Sequence, residues 1–181
     1  MKAGIIICLH LILIPLTQAG VYGELEYGDT RETVTAKLRK SPLVTLTVNE
    51  TFLGRTGLNG IFKCKAKLAG LSCHLFFNWD QRGGLEEITL RTDSLEMDQY
   101  GESLRRAWND TEHLFSQVYG PPSQKAPYPS VQSFKQHKML VSHVWQQGEN
   151  QSILMGTGID KNKCFLFVRF ANQDIALNSG P

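Results

Sequence analysis

Between Cys73 and Trp79 the chain reads Cys-His-Leu-Phe-Phe-Asn-Trp, and between Cys164 and Phe170 it reads Cys-Phe-Leu-Phe-Val-Arg-Phe. Strand side chains alternate between faces, so Cys73, Leu75, Phe77 and Trp79 line one side of a sheet, and Cys164, Leu166, Val168 and Phe170 do the same in the second copy. Two core strands sharing Cys-x-Leu-Phe, some ninety residues apart, constrain the chain to a sheet with a buried face and suggest a duplication.

Other segments fit around these strands. Asp29-Thr-Arg-Glu32 has the spacing of a helix capping box, Val34 and Leu38 follow one turn apart, and Ser41-Pro42 stops the helix. Alternation of Val44, Leu46 and Val48 with threonines predicts a strand. Residues 49–60 carry Gly54, Gly57 and Gly60 and are expected as a loop or a bulged, weak strand. Strands follow over residues 61–68, 71–79 and 85–92. Met97, Tyr100, Leu104, Trp108, Thr111, Leu114, Phe115 and Val118 keep helical spacing up to Gly120-Pro121-Pro122. A polar stretch, residues 123–136, is expected as a mobile loop. Strands over residues 139–145, 152–157 and 163–171 complete the chain, with a turn over 158–162 and a frayed tail from Ala176. The expected fold is α+β, with antiparallel β-meanders packed against helices. Two tandem helix-plus-sheet repeats, residues 20–92 and 93–181, follow residues 1–19.

Residues 1–19 have the form of a secretory signal peptide. Lys2 precedes an apolar run, residues 3–16, too short for the roughly 20 residues a bilayer requires, and Thr17-Gln18-Ala19 supplies a small residue for cleavage. The expectation is a secreted or periplasmic protein with no stable membrane insertion after cleavage. The chain has 19 Lys and Arg, of which Lys2 is lost with the signal, against 17 Asp and Glu. So balanced a charge, with no basic run, excludes an electrostatic footprint for nucleic acid. Asn49, Asn109 and Asn150 each begin an Asn-x-Ser/Thr sequon, whose meaning depends on the host.

Cys64, Cys73 and Cys164 remain in the mature chain. Cys64 and Cys73 both lie on the apolar phase of neighbouring strands joined through Ala69-Gly70. A Cys64–Cys73 disulfide is therefore expected, contributing about 2–3 kcal/mol by chain-entropy reasoning. The alternative is three reduced thiols buried as small hydrophobes.

The pattern Tyr27-Gly-Asp-Thr-Arg-Glu-Thr-Val-Thr-Ala-Lys-Leu38, ending at Ser41-Pro42 and leading into a meander, resembles the exported superfamily of the β-lactamase inhibitor protein and the small outer-membrane assembly lipoproteins. Gly28, Thr30, Glu32, Val34 and Leu38 occupy the places of that motif. The resemblance implies tandem helix-plus-sheet units and binding rather than catalysis.

Catalytic and metal motifs do not emerge. His74, His113, His137 and His143 show no zinc spacing, and no cofactor is expected. Glu86 and Glu87 point to opposite faces of a strand. Phe76, Phe165 and Phe167 instead fall on the phase that a half-solvated sheet would make polar. Either they are buried within the molecule, or they present an apolar strip to a partner. The expected function is a non-enzymatic binding protein that contacts a protein partner in the envelope or outside the cell, with Phe76, Trp79, Phe165 and Phe167 as contact residues. A small secreted hydrolase and a secreted protease inhibitor are the alternatives.

Overall fold

The computed structural model describes residues 21–48, 58–135, 138–148, 150–175 and 177. Residues 1–19, expected as a signal peptide, the Asn49 sequon, residues 49–57 of the expected loop or weak strand, His137 and most of the tail lie outside the described residues. Helix α1 (Arg31–Lys40) precedes strands β1 (Val44–Leu46), β2 (Phe62–Cys64), β3 (Cys73–Trp79) and β4 (Leu85–Thr92). After the short strand β5 (Leu95–Glu96), a 3-10 turn and a π turn lead into helix α2 (Arg105–Tyr119). Strands β6 (Gln124–Lys125), β7 (Met139–Gln146), β8 (Ser152–Asp160) and β9 (Lys163–Ala171) follow.

All nine strands belong to one antiparallel sheet of order β1-β2-β3-β4-β9-β8-β7-β6, with β5 beside β9. The α+β class read from the sequence is therefore present. The two Cys-x-Leu-Phe strands flank β4, where Leu90 faces Leu75 on one side and Val168 on the other. Both helices lie on the same side of the sheet. Val34 and Leu38 of α1, and Ala107, Trp108, Thr111 and Phe115 of α2, are buried there. Phe115 meets Trp145 and Phe170 at ring-centroid distances of 5.8 and 6.2 Å, and Leu75, Ile88, Met155, Leu166 and Val168 fill the floor beneath.

Three local expectations are corrected. Thr30, not Asp29, caps α1, its side chain accepting from the Thr33 amide. Asp29 instead accepts from the Glu26 amide and pairs with Lys37 at 2.8 Å. The strand expected over 61–68 ends at Cys64, because Ala69 (φ 46°) and Gly70 (φ 84°) set a tight left-handed turn with Leu68 bridged to Leu71; two successive residues at positive φ are what a two-residue hairpin turn needs. The stretch expected as a mobile loop is docked. Tyr128 Oη donates to the Tyr100 carbonyl at 2.8 Å, Tyr100 Oη donates to the Pro129 carbonyl at 2.7 Å, and residues Val131–Lys135 form a 3-10 turn.

The expected Cys64–Cys73 bridge is also corrected. Both residues are buried free thiols, brought together across β2 and β3 as the alternation required, but the pair stands at 3.5 Å, beyond bonding distance. A disulfide needs sulfurs about 2.05 Å apart. Tyr22 Oη donates to Cys64 Sγ at 3.5 Å. Hydrogen bonds from Cys73 and then Tyr22 bring the Cys64 thiol down to about 7 against the effect of burial. The same bond to Cys64, followed by burial, pushes Cys73 up.

Candidate interaction surface

The side of the sheet away from the helices is built from residues in register. Directly opposed residues share a face, and one row runs Lys63, His74, Arg91, Phe167, Gly156, Val141 across six strands. Beside it, Phe76, Thr89, Arg169 and Leu154 form a second row. Phe165 lies opposite Gly158 at the next position.

Phe165 and Phe167 are not an open strip, for they are 2% and 0% exposed. Their rings lie across glycines on the adjacent strand. A Cβ at Gly158 would stand 2.2 Å from Phe165 Cζ, and one at Gly156 would stand 2.7 Å from Phe167 Cζ and 2.1 Å from the Leu140 carbonyl oxygen. Glycine in a strand interior gives up packing and entropy, and is kept where something approaches closely. From above, the Arg91 guanidinium sits 3.8 Å from the Phe165 centroid and 5.5 Å from that of Phe76, while that of Arg169 sits 5.8 Å from Phe167. Each phenyl ring is thus packed on its neighbours with an arginine over it.

These arginines are the exposed layer. Arg91 and Arg169 keep side-chain exposures of 26% and 27%, and pair with Asp160 at 3.5 Å and Glu87 at 3.3 Å. Glu87 also accepts from Asn78 and Thr89. Burial raises its carboxyl above the ordinary range, partly offset by Arg169. His74 meets Asp93 at 3.1 Å at one margin. At the other, Ile175 and Leu177 pack on Val144, Leu154 and Ala171. Ser152 Oγ accepts from the Ile175 amide at 2.9 Å and anchors that segment.

The four expected contact residues therefore separate. Phe76, half-buried, joins Phe165 beneath Arg91, and Phe167 lies alongside under Arg169. Trp79 is elsewhere: on the phase of Cys73, Leu75 and Phe77 it lies on the helix side, 6.0 Å from Phe77 and 5.3 Å from the Arg31 guanidinium. Arg91 and Arg169 were the residues the sequence did not mark. The signal was available in principle, as an arginine on the same strand phase as two phenylalanines, but only the register places it over their rings.

The buried histidine is a second constellation found only in three dimensions. Ser142 Oγ lies 3.0 Å from His143 Nδ1, and Glu112 Oε2 lies 3.4 Å from His143 Nε2. Lys125 pairs with Glu112 from β6. The order hydroxyl, imidazole, carboxylate has the chemistry of an activated nucleophile. Yet Ser142 and His143 are both fully buried, and Ser142 Oγ already accepts from Trp108 Nε1 at 2.9 Å and donates to the Met155 carbonyl at 3.2 Å. No substrate reaches that hydroxyl in this conformation, so the network holds α2, β6 and β7 together. Burial lowers the His143 pKa, opposed by Glu112 and reinforced by Lys125. Cys164 and His74 lie on opposite faces of the sheet; the Cys164 thiol donates to the Leu95 and Glu96 carbonyls.

Among the described residues no group of three or more His, Cys, Asp and Glu is placed to hold a metal ion, and no helix is long and apolar enough to cross a membrane. No family model, curated protein or solved structure matches the chain.

Proposed function

We propose that the chain is an exported, non-enzymatic binding protein, secreted or periplasmic, that meets a protein partner with the helix-free face of its sheet. The contact residues are Arg91, Arg169 and Phe76, with Phe165 and Phe167 as the platform beneath them. The observation that carries the reading is the pair of arginines, each about one quarter exposed, on phenyl rings at the centre of the sheet. Arginine and aromatic residues are enriched at interface cores. A guanidinium held over a ring and paired with a carboxylate is ordered before binding, so less side-chain freedom is lost when a partner carboxylate or carbonyl meets it. Asp160 and Glu87 keep the face near neutral, which suits a protein surface better than a polyanion.

In the same reading the two halves are repeats. Each runs as one helix followed by four strands of the sheet, and the last strands, β4 and β9, meet at the centre. That order is what the resemblance to the β-lactamase inhibitor protein superfamily implied, and supports carrying its binding role over as a proposal.

The test is in vivo photocrosslinking from position 76 in the exported chain. One discrete adduct that is lost in Arg91→Ala/Arg169→Ala supports the reading; no adduct, or one indifferent to both arginines, refutes it.

A further inference from the structure

A different part of the molecule has the form of a ligand site. Of the three tryptophans, Trp108 and Trp145 are buried at 5% and 1% exposure, and Trp79 alone reaches the surface. Its ring borders a cleft of about 690 Å³ whose walls include Arg31, Asn59, Asn78, Asp80, Gln81 and Arg82. A second cleft of about 480 Å³ shares Trp79, Asp80, Gln81 and Arg82, and extends toward Glu86. The first volume falls within the roughly 300–1,000 Å³ usual for small-ligand sites. The two clefts share Trp79, Asp80, Gln81 and Arg82, so they adjoin at the indole and together offer room for more than one unit of a chain.

The frame is rigid. Asp80 Oδ1 accepts from the Arg82 and Gly84 amides, both at 2.8 Å, while the Gly28 amide donates to the Leu85 carbonyl and the Leu85 amide to the Asp29 carbonyl, which ties this hairpin to the segment before α1. Those amides also hold the Asp80 carboxyl below the ordinary range.

Three features define the ligand class. In the first cleft the charged groups balance, Arg31 and Arg82 against Glu32 and Asp80, and the second cleft adds only Glu86, so no polyanion is favoured and one carboxylate in excess makes a weak case for a polycation. The β3 backbone gives no free edge to an extended peptide, because the Phe77 amide donates to Asn59 Oδ1 at 2.6 Å and the Leu75 carbonyl accepts from Gly60 at 2.8 Å. What remains is one indole, with the Arg31 guanidinium over it at 5.3 Å from the ring centroid, beside planar amide and carboxylate groups. Such a set receives the C–H face of a sugar ring on the aromatic and its hydroxyls on the polar rim. We infer that the Trp79 cleft binds a neutral oligosaccharide. The site stands on the helix side of the sheet, and does not rest on the arginine-covered face.

The experiment titrates the exported chain with cellohexaose, maltohexaose and chitohexaose while following tryptophan emission. The expected result is a saturable change with at least one of them, at a Kd below about 1 mM, together with protection of Trp79 from acrylamide. Because the ligand is neutral, raising the salt from about 0.05 to 0.5 M should leave the Kd unchanged. Isothermal calorimetry with Trp79→Ala should show loss of binding, and Gln81→Ala, an exposed rim change that leaves the indole in place, should weaken it several-fold. Arg91→Ala/Arg169→Ala should bind sugar as the parent does. No saturable change with any of the three at about 10 mM, in a chain folded by circular dichroism, overturns the inference. So does a response confined to charged polymers and abolished by salt, or one that survives Trp79→Ala.

Discussion

Gly158→Ala asks whether the phenyl rings of the helix-free face are packing or contact surface. The added methyl would lie 2.2, 2.5 and 2.8 Å from Cζ, Cε2 and Cε1 of Phe165, so the ring must retreat by more than 1 Å to reach an ordinary contact of about 3.5 Å. Its path is blocked by the Arg91 guanidinium, 3.8 Å from the ring centroid. Overpacking of this kind costs about 3 kcal/mol, at the upper end of its usual range. Replacing glycine in a strand returns about 1 kcal/mol through the unfolded chain. The net expectation is about 2 kcal/mol of destabilisation, seen in urea as a midpoint lower by about 1 M at unchanged slope. Shortening the ring should relieve it: Phe165→Leu with Gly158→Ala should be more stable than the sum of the single changes by at least about 1 kcal/mol. A Gly158→Ala chain within about 0.5 kcal/mol of the parent, or strict additivity with Phe165→Leu, would refute the packing argument.

Other outcomes follow from the interior. His143 has a depressed pKa in the folded chain, so its contribution is complete above its ordinary value of 6.5 and is lost as pH falls below that through the folded value. Urea midpoints taken from pH 8 to 5 should fall, and less steeply in His143→Asn; Glu87, whose raised pKa acts with the opposite sign near and above 4.5, is common to both chains. Ser142→Ala should cost about 1–3 kcal/mol because it orphans the buried Trp108 Nε1, measurable by thermal melting. Cys64, Cys73 and Cys164 should be silent to a thiol reagent in the native chain and count as three after unfolding without reductant; a count of one would restore the bridge.

Strands β3, β4 and β9 were legible at their full length because each alternates over seven residues or more and packs one face on the core. β8 was read short. Gly158 looked like the start of a turn, whereas the strand continues to Asp160 and the turn falls on Lys161 and Asn162 at φ 48° and 62°. That glycine serves the ring of Phe165 on another strand, which no local rule reveals. The pairing of β4 with β9, and the two-residue strands β5 and β6, are tertiary in origin and carry no periodic signal. At the candidate surface, the phase of Phe76, Phe165 and Phe167 was readable, while their burial was not. Alternation gives the face of a strand but not what lies across it, and here glycines beneath and arginines above decide the exposure. Trp79 was assigned to the helix side by the same alternation, while its neighbour there, Arg31 of α1, is a tertiary contact that alternation does not reveal.

The most direct measurement is capture from the helix-free face in the native host. With a photoreactive residue at position 76, the parent chain should yield one dominant crosslinked protein, and Arg91→Ala/Arg169→Ala should reduce that adduct at least about tenfold in a chain still folded by circular dichroism, its urea midpoint lowered because Glu87, 12% exposed, loses its cation. An undiminished adduct in the double variant, or none from the parent, would contradict a partner on this face.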